Sequence, residues 1–433
     1  MDNEAVGPSG SGGFAVAWAV REHRRVPGLA DAVLPLIRTR ADLHRWSVAN
    51  AHGAQMHEAV DVLEAAVGTY APTELLSVTQ KAIASAVTVI LRADDSSGII
   101  GDAMRRLLAL HAKFAAAASP PAAKLVTWLL DFQLDGRQDF FEVDIVDYAP
   151  ALGPAGVERY RAALAEREAA LGLAPAGEHR WSSPDSHTRF VLEYNAKRFA
   201  VLDRDVDAII RTHAKDRRVA AWLHDTAKAL EEIGKVDLAI DWARQASEHE
   251  PWHQALRAAE YWCALLAAHR PDELLAARWK VFERHPSSST AATLYAAAGS
   301  AWPDCRDRVF ITLAPRPREA VLFVLLTLKD PSQAWQLADD LGLSDNDVWE
   351  QLAKAYESID PAATLPVHTR LVEVELEQTG AQHYQRAARR LKKMRSLALR
   401  VDREQEVDAL VAALREQHRR RPRLLQELDH AGL

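Results

Sequence analysis

Apolar side chains recur along most of this chain at intervals of three and four residues, the period that gathers them on one face of an α-helix. In the first half the pattern predicts helices over Leu29–Arg38, from Asp42 toward Val67, over Pro72–Arg92 and over Ile99–Ala118. The third carries Leu75, Leu76, Val78, Ile83, Val87 and Ile90; in the fourth, Met104, Leu107, Leu108 and His111 stand at i, i+3, i+4 and i+7. Turn-forming runs separate these elements, namely Asp94-Asp95-Ser96-Ser97-Gly98 and Ser119-Pro120-Pro121. A helix through Trp128–Phe132 leads to an acidic and aromatic loop at 139–144, and a helix over Gly156–Leu171 closes the half. Segment 172–187 holds two prolines and two glycines among several serines, which marks a linker. The expected organisation is a disordered start over 1–13, an N-terminal helical domain over 14–171, the linker at 172–187 and a second helical domain over 188–433.

Beyond the linker the helices recur as hairpins. Val219, Trp222, Leu223, Ala227, Leu230 and Ile233 form the apolar face of one helix, Gly234 supplies a turn, and Val236, Ala239, Ile240, Ala243 and Ala246 line a second. With Pro251 as the terminal proline of a 34-residue tetratricopeptide (TPR) unit, Ala227, Gly234, Ala239 and Ala246 fall on its small-residue positions. Small residues are needed there because the two helices of each hairpin pack closely. Later copies are announced by polar turns, Arg270-Pro271-Asp272, Asp330-Pro331-Ser332, Asp360-Pro361-Ala362 and Asp402-Arg403-Glu404. Proline suits the first turn of a helix, where its missing N–H has no partner to lose. The spacing of these turns is uneven, so the later units are degenerate. The fold expected is all-α: a solenoid of TPR-like hairpins preceded by an N-terminal helical domain.

Composition agrees with helices, since alanine is abundant and glycine (19) and proline (20) gather at the predicted ends. A net charge of −7 argues against a protein that coats nucleic acid with its whole surface. Two cysteines, Cys263 and Cys305, exclude a disulfide framework and a cysteine-rich zinc site. No apolar run reaches the ~20 residues that span a bilayer, and the polar first dozen residues do not read as a signal peptide. A cytoplasmic protein with no membrane partner is expected.

Candidate chemistry is thin. His249-Glu250-Pro251-Trp252-His253 matches the H-E-x-x-H zinc pattern, but Pro251 breaks the helix that would align the two histidines. Counted as a calcium loop from Asp94, the fifth position is Gly98 and the twelfth Arg105, where oxygen ligands are required. His52 with His57, and His179 with His187 beside Trp181, lack a third ligand at recognisable spacing. Trp222, Trp242, Trp262, Trp279, Trp335 and Trp349 stand at helical core spacing, and Trp302 beside a turn, so packing accounts for them. No catalytic residue, metal site or cofactor is therefore expected. The C-terminal segment differs, because residues 381–433 hold 13 Lys/Arg against 7 Asp/Glu. Arg386, Arg389, Arg390, Lys392 and Lys393 crowd one side of a helix whose apolar face is Tyr384, Ala388, Leu391, Met394 and Ala398; Arg419, Arg420 and Arg421, with Arg423, follow. These residues are either a polar cap on the last repeat or an anion site for nucleic-acid phosphates or an acidic partner.

Several stretches together resemble the helical-repeat region of bacterial SWIM zinc-finger family proteins. They are ADDSSGIIGDAMRRLLALH at 93–111, the segment 140–164, the repeat at 219–251, and Arg-Arg-Pro-Arg-Leu-Leu-Gln-Glu-Leu-Asp at 420–429. The chain has neither the C-x-C nor the C-x-H of that family's zinc finger, so the resemblance implies helical packing without the finger, and it brings no catalytic residues. The function expected is a non-enzymatic scaffold that binds a partner protein or peptide in a helical-repeat groove. The alternatives are a nucleic-acid-associated accessory protein using the basic C-terminus, and an enzyme or an essential enzyme subunit.

Overall fold

The computed structural model describes residues 28–172 without Gly136, and 183–433 without Pro251. The expected disordered start, the first part of the N-terminal domain, most of the expected linker, His179 and Trp181 lie outside the described residues. No strand occurs among the described residues, so the fold is all-α. None of their helices is long and apolar enough to cross a membrane. Contacts divide the chain into two compact units, 1–208 and 209–433.

The first unit contains α1 (Leu29–Ile37), α2 (Trp46–Ala65), α3 (Pro72–Ile90), α4 (Ile99–Ala118), α5 (Ala122–Leu134), α6 (Ile145–Ala170) and α7 (Ser186–Leu202). Their apolar stripes meet in one core that includes Ile37, Met56, Ile83, Met104, Leu107, Leu129 and Tyr160. Helix α4 sits at its centre, packed on α2, α3 and α6. Gly53 permits the close approach of α2 and α4: a Cβ there would lie 2.5 Å from Ile99 Cγ2. The expected helix from Gly156 begins eleven residues earlier, at Ile145, because the chain turns helical, kinks at Gly153 (φ 62°, ψ 173°) and resumes with Pro154 in a new first turn. The dividing point also differs from the expected linker. Helix α7, predicted to open the second domain, packs on α5 and α6. Its Asn195 closes a buried triangle of hydrogen bonds: Gln133 Nε2 donates to Tyr160 Oη (2.6 Å), which donates to Asn195 Oδ1 (2.9 Å), and Asn195 Nδ2 donates to Gln133 Oε1 (3.3 Å).

The short helix α8 (Val206–Ile209) runs into a π-helical turn, Ile210–Ala214. Then α9 (Ala220–Glu232) and α10 (Val236–Ser247) form the predicted hairpin, with Gly234 in the left-handed region (φ 77°) and Ala227, Ala239, Ala243 and Ala246 wholly buried. The unit continues through α11 (Trp252–His269), α12 (Pro271–Arg284), α13 (Ser288–Ala298), α14 (Trp302–Leu313), α15 (Pro317–Phe323) and α16 (Pro331–Asp340). It closes with α17 (Asn346–Tyr356), α18 (Pro361–Glu377), α19 (Ala381–Leu399), α20 (Glu404–Gln417) and α21 (Pro422–Ala431). Each of these helices makes its main contacts with helices one or two places away in the chain. Proline opens α12, α15, α16, α18 and α21. Ahead of α16 and α18 the preceding aspartate caps the helix: Asp330 accepts from Gln333 N (2.9 Å) and Asp360 from Ala363 N (3.0 Å).

Candidate functional site

The cations of the C-terminal segment separate into two sets. Arg386, Arg390 and Lys393 share one stripe of α19 and face carboxylates on α17 and α18. Arg390 hydrogen-bonds Glu350 and its side chain is only 13% exposed; Lys393 Nζ lies 2.5 Å from Glu357 Oε1, and Arg386 Nε 2.9 Å from Glu375 Oε1. His368 is buried between them, with Nε2 3.3 Å from Glu357 and Nδ1 3.4 Å from Arg390. Burial pushes its pKa down against the pull of Glu357. Burial would raise Glu375, but the hydrogen bonds from His383 and Arg386 outweigh it and hold the carboxyl below its ordinary range.

The second set is exposed or engaged elsewhere. Arg389 donates to the carbonyl of Gln385 (3.3 Å), Arg419 pairs with Glu416 (3.0 Å), and Arg421 donates to the carbonyl of Leu376 (2.7 Å). Lys392 and Arg420 are exposed and carry no ion pair among the described residues. An anion site would need Arg386, Arg390 and Lys393 free, whereas each is opposite a carboxylate that holds α17, α18 and α19 together.

A different stripe of α18, Pro366, Thr369, Arg370 and Glu373, lines a groove. On one side lies a recess of about 300 Å³ walled by Trp335 and Asp339 of α16 and Trp349 of α17. On the other lies a recess of about 420 Å³ walled by Met394 of α19 and Arg403, Glu406, Val407 and Leu410 at the start of α20. Pro366 and Arg370 border both, so the two form one groove across α18. Its aromatic base is fixed. Trp349 Nε1 donates to the carbonyl of Leu343 (2.7 Å), and Trp335 packs edge-on to Trp349 and stacks on Tyr356 at 4.5 Å.

The guanidinium of Arg370 lies over the Trp349 ring, 5.3 Å from its centroid, and its Nε and Nη2 are buried with no hydrogen-bond partner. Arg403, the other cation of the groove, is held by both oxygens of Glu406 (2.6 Å each). Arg370 Nε and Nη2 are therefore unmet donors beneath the groove surface, and a carboxylate or carbonyl of a bound chain would satisfy them once the guanidinium turned toward it. Sequence reasoning reached Trp335 and Trp349 as packing residues and missed Arg370, because a single arginine in an amphipathic helix carries no signal.

The remaining motifs resolve into packing. His249 and Glu250 lie between α10 and α11 rather than on one helix; His249 Nε2 donates to the carbonyl of Arg217 (3.3 Å), and Glu250 pairs with Arg284 (2.5 Å). Asp95 accepts from the amides of Ile100 and Gly101 (2.9 Å each), capping α4 where a calcium ligand was considered, with Gly98 at φ 78° completing the turn. His52 donates to the carbonyl of Ile37 (2.9 Å), His57 meets Arg106 (3.1 Å), and His187 donates to the carbonyl of Gln133 (2.6 Å). Among the described residues no group of three His, Cys, Asp or Glu side chains could hold a metal ion. Cys263 and Cys305 are buried and unpaired, and burial pushes the Cys263 thiol up to about 11.

No curated protein matches this sequence. One family model does, over residues 33–424, which takes in both compact units and leaves a margin only at each end, so the chain belongs to DUF6880, a family of unknown function.

Proposed function

We propose that this chain is a non-enzymatic scaffold that holds a segment of a partner protein across the groove of its second unit. On this reading α9 to α21 are a solenoid of degenerate TPR-like hairpins, related to the helical-repeat region of SWIM zinc-finger proteins. Packing of each helix on its chain neighbours supports it, because a serial stack leaves an extended face for a ligand chain. The observation that carries the proposal is Arg370, a residue of the groove lining whose guanidinium lies over Trp349 and whose Nε and Nη2 find no acceptor within the protein. An extended segment supplies what such a groove lacks: apolar side chains for the two recesses and an oxygen acceptor for Arg370.

The test is site-specific photocrosslinking in cells that make the protein. A crosslinking residue at Thr369 should trap a discrete partner, one at exposed Lys392 should not, and Arg370→Ala should weaken capture at Thr369 about tenfold. Equal capture from both positions, or none from Thr369, overturns the reading.

A further inference from the structure

The first unit carries a separate cleft of about 540 Å³ between α3 and α5. Two facing helical stripes build it. From α3 and its C-cap come Gln80, Ile83, Ala84, Val87, Thr88 and Leu91, uncharged and mostly apolar; from α5 and its C-cap come Trp128, Asp131, Phe132 and Asp135, at i, i+3, i+4 and i+7. Arg137 and Gln138 complete the lining, and with Arg137 paired to Asp135 the unmatched charge is that of Asp131. The α5 stripe alternates aromatic rings with carboxylates. Trp128 is held from behind by His111, stacked at 3.9 Å, and Phe132 stacks on Trp128 at 5.4 Å, so the aromatic wall is fixed.

The two carboxylates differ. Asp135 is engaged by Arg137, whose Nε lies 3.1 Å away, whereas Asp131 is exposed and has no ion pair or side-chain hydrogen bond among the described residues. Opposite them Leu91 is 55% exposed, a large apolar side chain left open at the end of the α3 wall.

Charge and shape together select the occupant. A lysine or arginine side chain has an apolar stem that lies on aromatic and aliphatic surface and a charged end that seeks a carboxylate. The cleft runs from Gln80 to Leu91, ~16 Å along α3 at 1.5 Å per residue, which is the length of a short peptide rather than of a single small amine.

We propose, resting on the scaffold reading, that this cleft seats a basic segment of a partner protein. One lysine or arginine lies along Trp128 and Phe132 and ends on Asp131, and an apolar neighbour covers Val87 and Leu91. Recognition in the first unit is then of positive charge, whereas Arg370 in the second unit seeks an acceptor.

The experiment is selection of a random peptide library of about twelve residues, the cleft length in helical form, against the full chain at low salt. Recovered peptides are then titrated by fluorescence polarisation against wild type, Asp131→Asn and Arg370→Ala. The proposal expects peptides that carry Lys or Arg, a Kd that rises about tenfold with Asp131→Asn, and further weakening as salt is raised. Asp131 is exposed, so the variant should keep the wild-type circular dichroism and melting temperature. Peptides without a cation, or with affinity unchanged by Asp131→Asn, overturn the assignment. Peptides lost only with Arg370→Ala overturn it while leaving the scaffold reading standing, and a library that yields no binder removes both. If n-butylguanidinium displaces the selected peptide at equal concentration, the cleft takes a small cation and the peptide occupant is overturned.

Discussion

Replacing His111 by leucine should remove ~2 kcal/mol of the acid sensitivity of the first unit. The imidazole is wholly buried, stacked on Trp128, with Nδ1 2.8 Å from Tyr148 Oη and Nε2 without a partner. Protonation would place a positive charge among aromatic rings with no carboxylate to meet it, and burial accordingly lowers the pKa from 6.5 to about 3. The unfolded chain takes up this proton near 6.5, and the folded chain only near 3. The stability contributed by keeping His111 neutral is therefore complete above about pH 6.5, falls as pH drops through that value, and levels off below about pH 3.

Between about pH 7.5 and about pH 5 the loss from this one group is ~2 kcal/mol. The two-unit chain is not expected to unfold in a single step, so the measurement must be local: urea-dependent hydrogen exchange of the α4 and α5 amides, corrected for the intrinsic effect of pH. Comparing wild type with His111→Leu at both pH values cancels the other titrating groups. The variant should be less stable at neutral pH, through the lost contact with Tyr148, but its stability should fall by ~2 kcal/mol less on acidification. Equal pH dependence in the two proteins would refute the buried neutral histidine.

Tyr160→Phe should destabilise the first unit by ~1–3 kcal/mol, because Gln133 and Asn195 lose the hydroxyl that closes their buried triangle; the same exchange experiment on α5 and α7 reads it. Gly53→Ala should cost ~1–3 kcal/mol, since the new Cβ meets Ile99 Cγ2 and forces α2 from α4; a melting temperature unchanged from wild type would contradict this. Arg390→Glu should lower the stability of the second unit by ~2 kcal/mol by setting two carboxylates face to face beside His368, whereas Lys392→Glu on the exposed side should change it by less than ~0.5 kcal/mol. Urea titrations of the two variants, followed by exchange in α18 and α19, separate these outcomes.

Features that depend on a few neighbouring residues were legible in the chain. Helix α4 occupies the predicted range, Ile99–Ala118, because a capping turn precedes it and Ser119-Pro120-Pro121 follows. The α9–α10 hairpin announced itself through Ala227, Gly234, Ala239 and Ala246, since close packing and a left-handed turn each demand a small residue at a set position. The turns before α12, α16 and α18 were legible because proline marks a first turn, and before α16 and α18 because an aspartate caps the helix within four residues. Where local signals conflicted the reading failed. Pro150, Gly153 and Pro154 punctuate α6, so the periodicity predicts only its part from Gly156 onward. The serines and prolines of 172–187 suggested a boundary, although α7 beyond them belongs with α5 and α6.

The candidate sites show the same division. Sequence alone determined that the described residues are helical, where helices such as α3, α4, α9 and α10 begin and end, and that H-E-x-x-H is interrupted by its proline and the acidic run is a turn, because these follow from periodicity, capping and the geometry of proline. Only tertiary structure decided what each charged side chain does. Arg386, Arg390 and Lys393 looked like a free basic stripe until Glu350, Glu357 and Glu375 were brought opposite them; Arg370 and Asp131 looked ordinary until folding left one without acceptors and the other on an aromatic wall. A helix repeats every 3.6 residues, so its face can be read locally, but the field a charge feels depends on residues remote in the chain and a few ångströms away in space.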